Sequence, residues 1–309
     1  MSSCAWSHLQ RDPSTVPSME SFLDRHVLAG ILAGALVLSL SYPLLHTLYM
    51  RQNSTYREGL TAEQRIVVVQ HTMEAIFLAS WWMPTTYWVV HFNFCTPATT
   101  TAAAELGRTV TPSTIFLGTV VLLYCFELNS RLPLRPLIVV HHVGAGMVGV
   151  ISALLYSEAT VITATLLVYF ITYEAILFAG LVLYRLGSRH AARVLSMGMW
   201  VFGLSRPVQV LLVGASLYAN RHHIVPWQGA ASGIITLAFT ALQSYTLTIH
   251  YQLYLKSRRW VDDDDHDAYC CWQQQQGQSA LLYGTMADSD DDVREAAPMR
   301  RRPTSTGRG

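Results

Sequence analysis

The sequence predicts an all-α fold, a polytopic membrane bundle of about seven transmembrane helices with a lumenal N-terminus and a cytosolic C-terminus. Three observations predict it. Charged residues make up only 13% of the 309-residue chain, about half of the roughly 25% usual for soluble domains. They are also unevenly spread: residues 27–255 hold 18 of the 41 charged side chains, and the 80 positions outside hold 23. Finally, apolar windows near the roughly 20 residues that a helix needs to cross the hydrocarbon recur along the middle of the chain. A membrane barrel would instead show alternating segments of about 10 residues.

The predicted spans are 27–50, 66–92, 114–129, 136–156, 159–184, 194–218 and 230–255, the third short and the seventh the most polar. A polar segment, 1–26, precedes them. Because Arg11, Asp12, Glu20, Asp24 and Arg25 come before any apolar run, no cleavable signal is expected and the first span should act as the anchor. Orientation follows from the arginines and the single lysine. Eleven basic residues, in the groups Arg51 to Arg65, Arg131 and Arg135, Arg185 to Arg193 and Lys256 to Arg259, fall on one side; Arg11, Arg25, Arg108 and Arg221 fall on the other. The positive-inside rule puts the richer side in the cytosol. The sequon at Asn53 then faces the cytosol and should stay unmodified. Trp88 and Trp227 mark lumenal interfaces. The tail, 256–309, reads as disordered, with acidic, glutamine and arginine runs, and its Cys270–Cys271 pair suits either palmitoylation or two ordinary reduced thiols.

A net charge of +1 offers no basic surface for nucleic acid. The expected partners are membrane lipids and, for the bundle, a second copy in a homo-oligomer. Five irregularly spaced cysteines make neither a disulfide framework nor a zinc site, and no metal is expected.

Ionisable groups within the spans are costly and therefore informative. At 1.5 Å per residue, Glu127 lies about two residues from the cytosolic end of its span, His46 about four, His71, His141, His142 and His250 about five, and Glu74 about eight. Glu174 and Arg206 lie at about ten and twelve residues, or roughly 15 and 18 Å. This gathering predicts a polar cavity open toward the cytosol. Glu174 stands on an otherwise apolar stripe, and Arg206, at nearly the same depth on the next antiparallel span, is its expected partner, as structural glue or as part of a site. Pro207 loosens the helix beside it. His141 and His142 diverge by about 100° around their helix. Gly146, Gly149 and Ala153 give the His142 face to close packing, which leaves His141 as the better candidate for base, acid or nucleophile. Adjacent histidines do not converge on one ion as an i, i+4 pair does.

Taken in order, Glu127 and Arg131, Arg135-Pro136 before His141-His142, Glu174 with Phe178, and Phe202 with Arg206 resemble the TLC-domain family of membrane proteins, which includes the longevity-assurance ceramide synthases and the translocating-chain-associated membrane proteins. The resemblance spans about 65–255. It implies the endoplasmic reticulum, a role in lipid metabolism and, in the ceramide synthase branch, acyl transfer from coenzyme A to a sphingoid amine, with acyl-CoA a substrate and no resident cofactor. It also implies catalytic roles for His141 and His142; the depth of the polar groups adds Glu174 as a catalytic candidate and His71, Glu74, Glu127, Arg131, Arg135 and Arg206 as candidate ligand contacts, the two loop arginines at the cavity rim able to meet the donor's phosphates. The aspartates of that branch are absent from 159–184, where Glu174 is the only acid. A non-enzymatic lipid-regulating or trafficking protein is therefore the competing expectation.

A seven-span receptor is disfavoured, since Asp-Arg-Tyr and Asn-Pro-x-x-Tyr motifs are lacking. A retinal protein needs a lysine inside the bundle, whereas the single lysine, Lys256, lies at the end of the last span. A transporter would show repeated halves with broken helices, which the sequence does not display.

Overall fold

The computed structural model describes residues 25–90, 115–116, 118–129, 139–140, 142–144, 158–219, 221–222 and 224–262. These residues are helical or in turns, with no strand among them. In chain order the helices are α1 (Arg25–Gln52), a π-helical turn (Thr55–Gly59), α2 (Ala62–Val90), the short α3 (Gly118–Asn129), α4 (Glu158–Ile171), α5 (Glu174–Arg185), α6 (Ala191–Ala219) and α7 (Pro226–Asp262). Among the described residues, five stretches are long and apolar enough to cross a membrane: Leu28–Gln52, Ala62–Tyr87, Ile162–Arg185, Ala191–Ala219 and Pro226–Arg258. They describe a multi-pass integral membrane protein. The predicted span 136–156 falls mostly outside the described residues.

The helix ends follow local chemistry. At the start of α2, Thr61 and Gln64 form a reciprocal capping box: the Thr61 amide donates to Gln64 Oε1 at 3.0 Å and the Gln64 amide to Thr61 Oγ1 at 3.3 Å. Before it, the Asn53 side chain accepts the Tyr56 amide at 2.8 Å, so the sequon asparagine is engaged in holding the π-helical turn. Helix α5 ends in a Schellman motif, with Ser188 N donating to the Leu183 carbonyl at 2.9 Å and Gly187 N to that of Tyr184 at 3.1 Å. Gly187, at φ 66°, takes the left-handed conformation that this motif requires.

Small residues set the helix packing. A Cβ on Gly180 would lie 3.2 Å from the Leu195 backbone nitrogen, and one on Gly198 would lie 3.3 Å from that of Leu177, so α5 and α6 nearly touch. Helix α1 meets the stretch at α3 in the same way, through Gly30 against Ile115 and Gly34 against Thr119. Its other side shows Leu28, Leu32, Leu36, Leu40 and Leu44 to the surroundings, all more than half exposed. Helix α5 packs against α2 and α6, and α6 packs in turn against α4 and α7.

The span predicted at 159–184 is present as Ile162–Arg185, and a tight turn at Thr172–Tyr173 divides it into α4 and α5. Hydropathy averaging passes over such a turn, since no proline or glycine marks it. One expectation is corrected. Helix α7 runs beyond the predicted end at 255, to Asp262. Charge ends an apolar run there without ending a helix, because lysine and arginine are good helix formers.

Candidate functional site

The surface of the bundle is apolar and much of its interior is polar. Trp200, Leu204 and Leu211 of α6 are exposed, while Gln70, His71, Glu74, Glu127, His142, Glu174, Arg206, Gln209 and Gln243 are buried. That inversion suits a lipid solvent. Each buried ionisable group must then be neutralised within the protein.

Two histidine–carboxylate pairs do so on one side. In α2, His71 and Glu74 stand three residues apart on one face, with Nδ1 2.8 Å from Glu74 Oε2. The His71 ring stacks on Phe178 of α5 at 5.3 Å between centroids. In the last turn of α3, Glu127 Oε2 lies 2.5 Å from His142 Nε2. Tyr124, one turn earlier on α3, stacks nearly parallel on the His142 ring at 4.3 Å. His142 is thus held between an aromatic face and a carboxylate. His141, Arg131 and Arg135 lie outside the described residues.

The third carboxylate is held differently. The break after α4 puts Glu174 in the first turn of α5, where a negative side chain favours the helix N-terminus. Its Oε1 accepts from Gln243 Nε2 of α7 at 2.8 Å and lies 3.7 Å from Arg206 Nη2 of α6. Arg206 also donates to the Phe170 carbonyl, at the end of α4, at 3.3 Å and to Gln209 Oε1 at 2.7 Å. Its guanidinium sits 3.8 Å over the Phe202 ring. The arginine therefore caps one side of the helix break while Glu174 opens the other.

These groups form one electrostatic neighbourhood. Tyr124 is within reach of the charges of Glu74, Glu127, Glu174 and Arg206, and Glu174 within reach of that of His142. One proton in each histidine–carboxylate pair, together with the Glu174–Arg206 pair, leaves this set neutral. No group of three or more metal-ligating side chains occurs among the described residues.

The structure thus brings together His71, Glu74, Glu127, His142, Glu174 and Arg206. It adds Tyr124, Gln209 and Gln243, which a search confined to histidines and charged side chains passes over. Buried amides also need partners, and their placement one turn from Arg206, or in the most polar span, was the available signal. His46 and His250 stand apart from this set. Each is held locally, His46 Nδ1 at 2.7 Å from the Tyr56 hydroxyl and His250 Nδ1 donating to the Thr246 carbonyl at 2.7 Å.

No family model, no curated protein and no solved structure matches this chain.

Proposed function

We propose that this is a seven-span protein of lipid metabolism or membrane-lipid homeostasis, its N-terminus lumenal and its C-terminus cytosolic, resident in the endoplasmic reticulum and resembling the TLC-domain family. It binds a long-chain lipid or acyl donor in an intramembrane site reached from the cytosolic side. The observation that carries this reading is the convergence of two histidine–carboxylate pairs within an apolar bundle. Buried imidazoles within an apolar bundle suit a ligand with a long apolar chain.

The chemistry that fits is acyl transfer from acyl-CoA to a long-chain amine. The amine nitrogen forms the new bond to the thioester carbonyl, the carbon–sulfur bond breaks, and the amine proton passes to an imidazole of the 141–142 pair and on to the departing thiolate. A carboxylate holding the imidazole, as Glu127 holds that of His142, orients the ring and raises its basicity. Arg131 and Arg135 are the groups proposed to meet the donor's phosphates. Purified protein should transfer a radiolabelled acyl group from acyl-CoA to a sphingoid amine, and His141→Ala should lower the rate by at least 100-fold, the low end of what general-base catalysis contributes. No turnover with any long-chain amine or lysolipid, together with full cellular activity of His141→Ala, would remove the enzymatic reading.

The second reading, a non-enzymatic lipid-regulating protein, is favoured by Glu174. Its carboxylate is committed to Arg206 and Gln243 at a helix break, where the ceramide synthase branch has aspartates.

A further inference from the structure

Among the buried polar atoms that make no hydrogen bond, five lie on three helices that pack on one another: Thr163 Oγ1 of α4, Arg206 Nε and Gln209 Nε2 of α6, and Thr240 Oγ1 and Gln243 Oε1 of α7. Thr163, Arg206, Gln209 and Gln243 are each more than nine-tenths buried. A threonine in an apolar helix ordinarily turns its hydroxyl back to a carbonyl of its own helix. Thr72, Thr85, Thr86, Thr119 and Thr236 all do so; the Thr163 and Thr240 hydroxyls do not.

Three of the five atoms, on Arg206, Gln209 and Gln243, belong to one linked set, and the two threonines lie within about a turn of residues that flank it. Gln209 and Arg206, Arg206 and Glu174, and Glu174 and Gln243 are joined at 2.7, 3.7 and 2.8 Å. Thr240 stands one turn before Gln243. Thr163 shares its helix face with Leu166, and Gln209 shares its face with Val213; Leu166 and Val213 meet in one cluster. Because the carbonyl of Gln209 is taken by Arg206, its amide nitrogen remains to donate. Because the nitrogen of Gln243 is taken by Glu174, its oxygen remains to accept.

We propose that this locus binds the headgroup linkage of an uncharged lipid, one that carries a carbonyl acceptor and, a few atoms away, a hydroxyl or N–H donor. Arg206 Nε and Gln209 Nε2 donate to the carbonyl oxygen, and Gln243 Oε1 accepts from the donor. A charged ligand is disfavoured, since Arg206 is already neutralised by Glu174 and an added charge would be buried without a counterion. Both an ester with a free hydroxyl and a secondary amide satisfy this chemistry. The inference rests on the lipid-binding part of the proposed function and not on acyl transfer.

The test uses the full chain in lipid nanodiscs and four fluorescent probes with one chain length: a monoacylglycerol, an N-acyl ethanolamine, a fatty-acid methyl ester and the free fatty acid. The first two should bind about tenfold tighter than the last two, the equivalent of one hydrogen bond. Gln243→Leu should reduce them to the level of the methyl ester, and Gln209→Leu should weaken every carbonyl probe. Preference for the ester or for the amide identifies the source of the ligand, and either supports the site. Equal binding of all four probes by the wild-type chain, as expected if only water meets these atoms, overturns it without recourse to a variant. Discrimination that survives in both variants overturns it as well. The two readings fail separately: a His141→Ala/His142→Ala chain that loses transfer should keep the discrimination, and flat binding beside intact turnover removes this site alone.

Discussion

The carboxylates of Glu74, Glu127 and Glu174 are buried among the same helices, yet they are held in two ways. Glu74 and Glu127 each face an imidazole at hydrogen-bond distance, 2.8 and 2.5 Å. Glu174 faces a guanidinium at 3.7 Å and an amide at 2.8 Å, across a break in its own helix. An imidazole changes its charge near neutral pH, whereas an arginine does not. In the histidine half each carboxylate meets an imidazole ring, and in the arginine half it meets a fixed charge beside a helix break. On the proposed function, chemistry belongs to the first half and binding to the second.

The largest expected effect breaks the arginine half. Arg206→Met leaves Glu174 buried without its cation and uncaps the Phe170 carbonyl; it should cost about 3–5 kcal/mol in denaturant unfolding in micelles. Combined with Glu174→Gln it should cost less than the sum of the two single variants, because removing both charges is less harmful than removing one. Strict additivity would show that the two groups are not coupled.

Gly198→Ala comes next, since its Cβ would meet the Leu177 backbone at 3.3 Å. Overpacking of this sort should cost about 1–3 kcal/mol in the same assay. An unchanged midpoint would mean that α5 and α6 approach less closely than described.

In the histidine half, Glu127→Gln still offers His142 a hydrogen-bond acceptor, so its stability cost should be only about 1 kcal/mol. Its effect on cellular lipids should be as large as that of removing the histidines. A variant with intact lipids, or one as unstable as Arg206→Met, would erase the contrast between the halves.

The smallest effect lies outside both. Burial, with some help from the neighbouring Tyr42, pushes the Tyr56 hydroxyl up to about 12 from its usual value near 10. A pKa raised on folding stabilises fully below the unfolded value and is lost as pH rises through the folded one. Tyr56→Phe should therefore cost about 1 kcal/mol at neutral pH through the lost bond to His46, and wild type should lose this advantage between pH 10 and about 12. Parallel stability curves over that range would contradict the placement of Tyr56.

Much of this core was legible in the sequence because charge is rare within the spans. Each of Glu74, Glu127, Glu174 and Arg206 stands out against an apolar background, and equal depth on antiparallel neighbours sufficed to pair the last two. The helix break escaped notice because Thr172 and Tyr173 are ordinary span residues, and nothing local requires a turn there. What stabilises the turn comes from another helix, through the Arg206 bond to the Phe170 carbonyl. Gln209 and Gln243 went unread for a related reason: an amide alone is unremarkable, and its meaning depends on the buried charge that it meets.

The paired histidines are proposed to act on membrane lipids. Membrane-lipid profiles of a deletion strain carrying either the wild-type chain or His141→Ala/His142→Ala, with protein levels matched, test it most directly. The double variant should reproduce the lipid changes of the deletion. Full restoration of the wild-type profile by the double variant would contradict it.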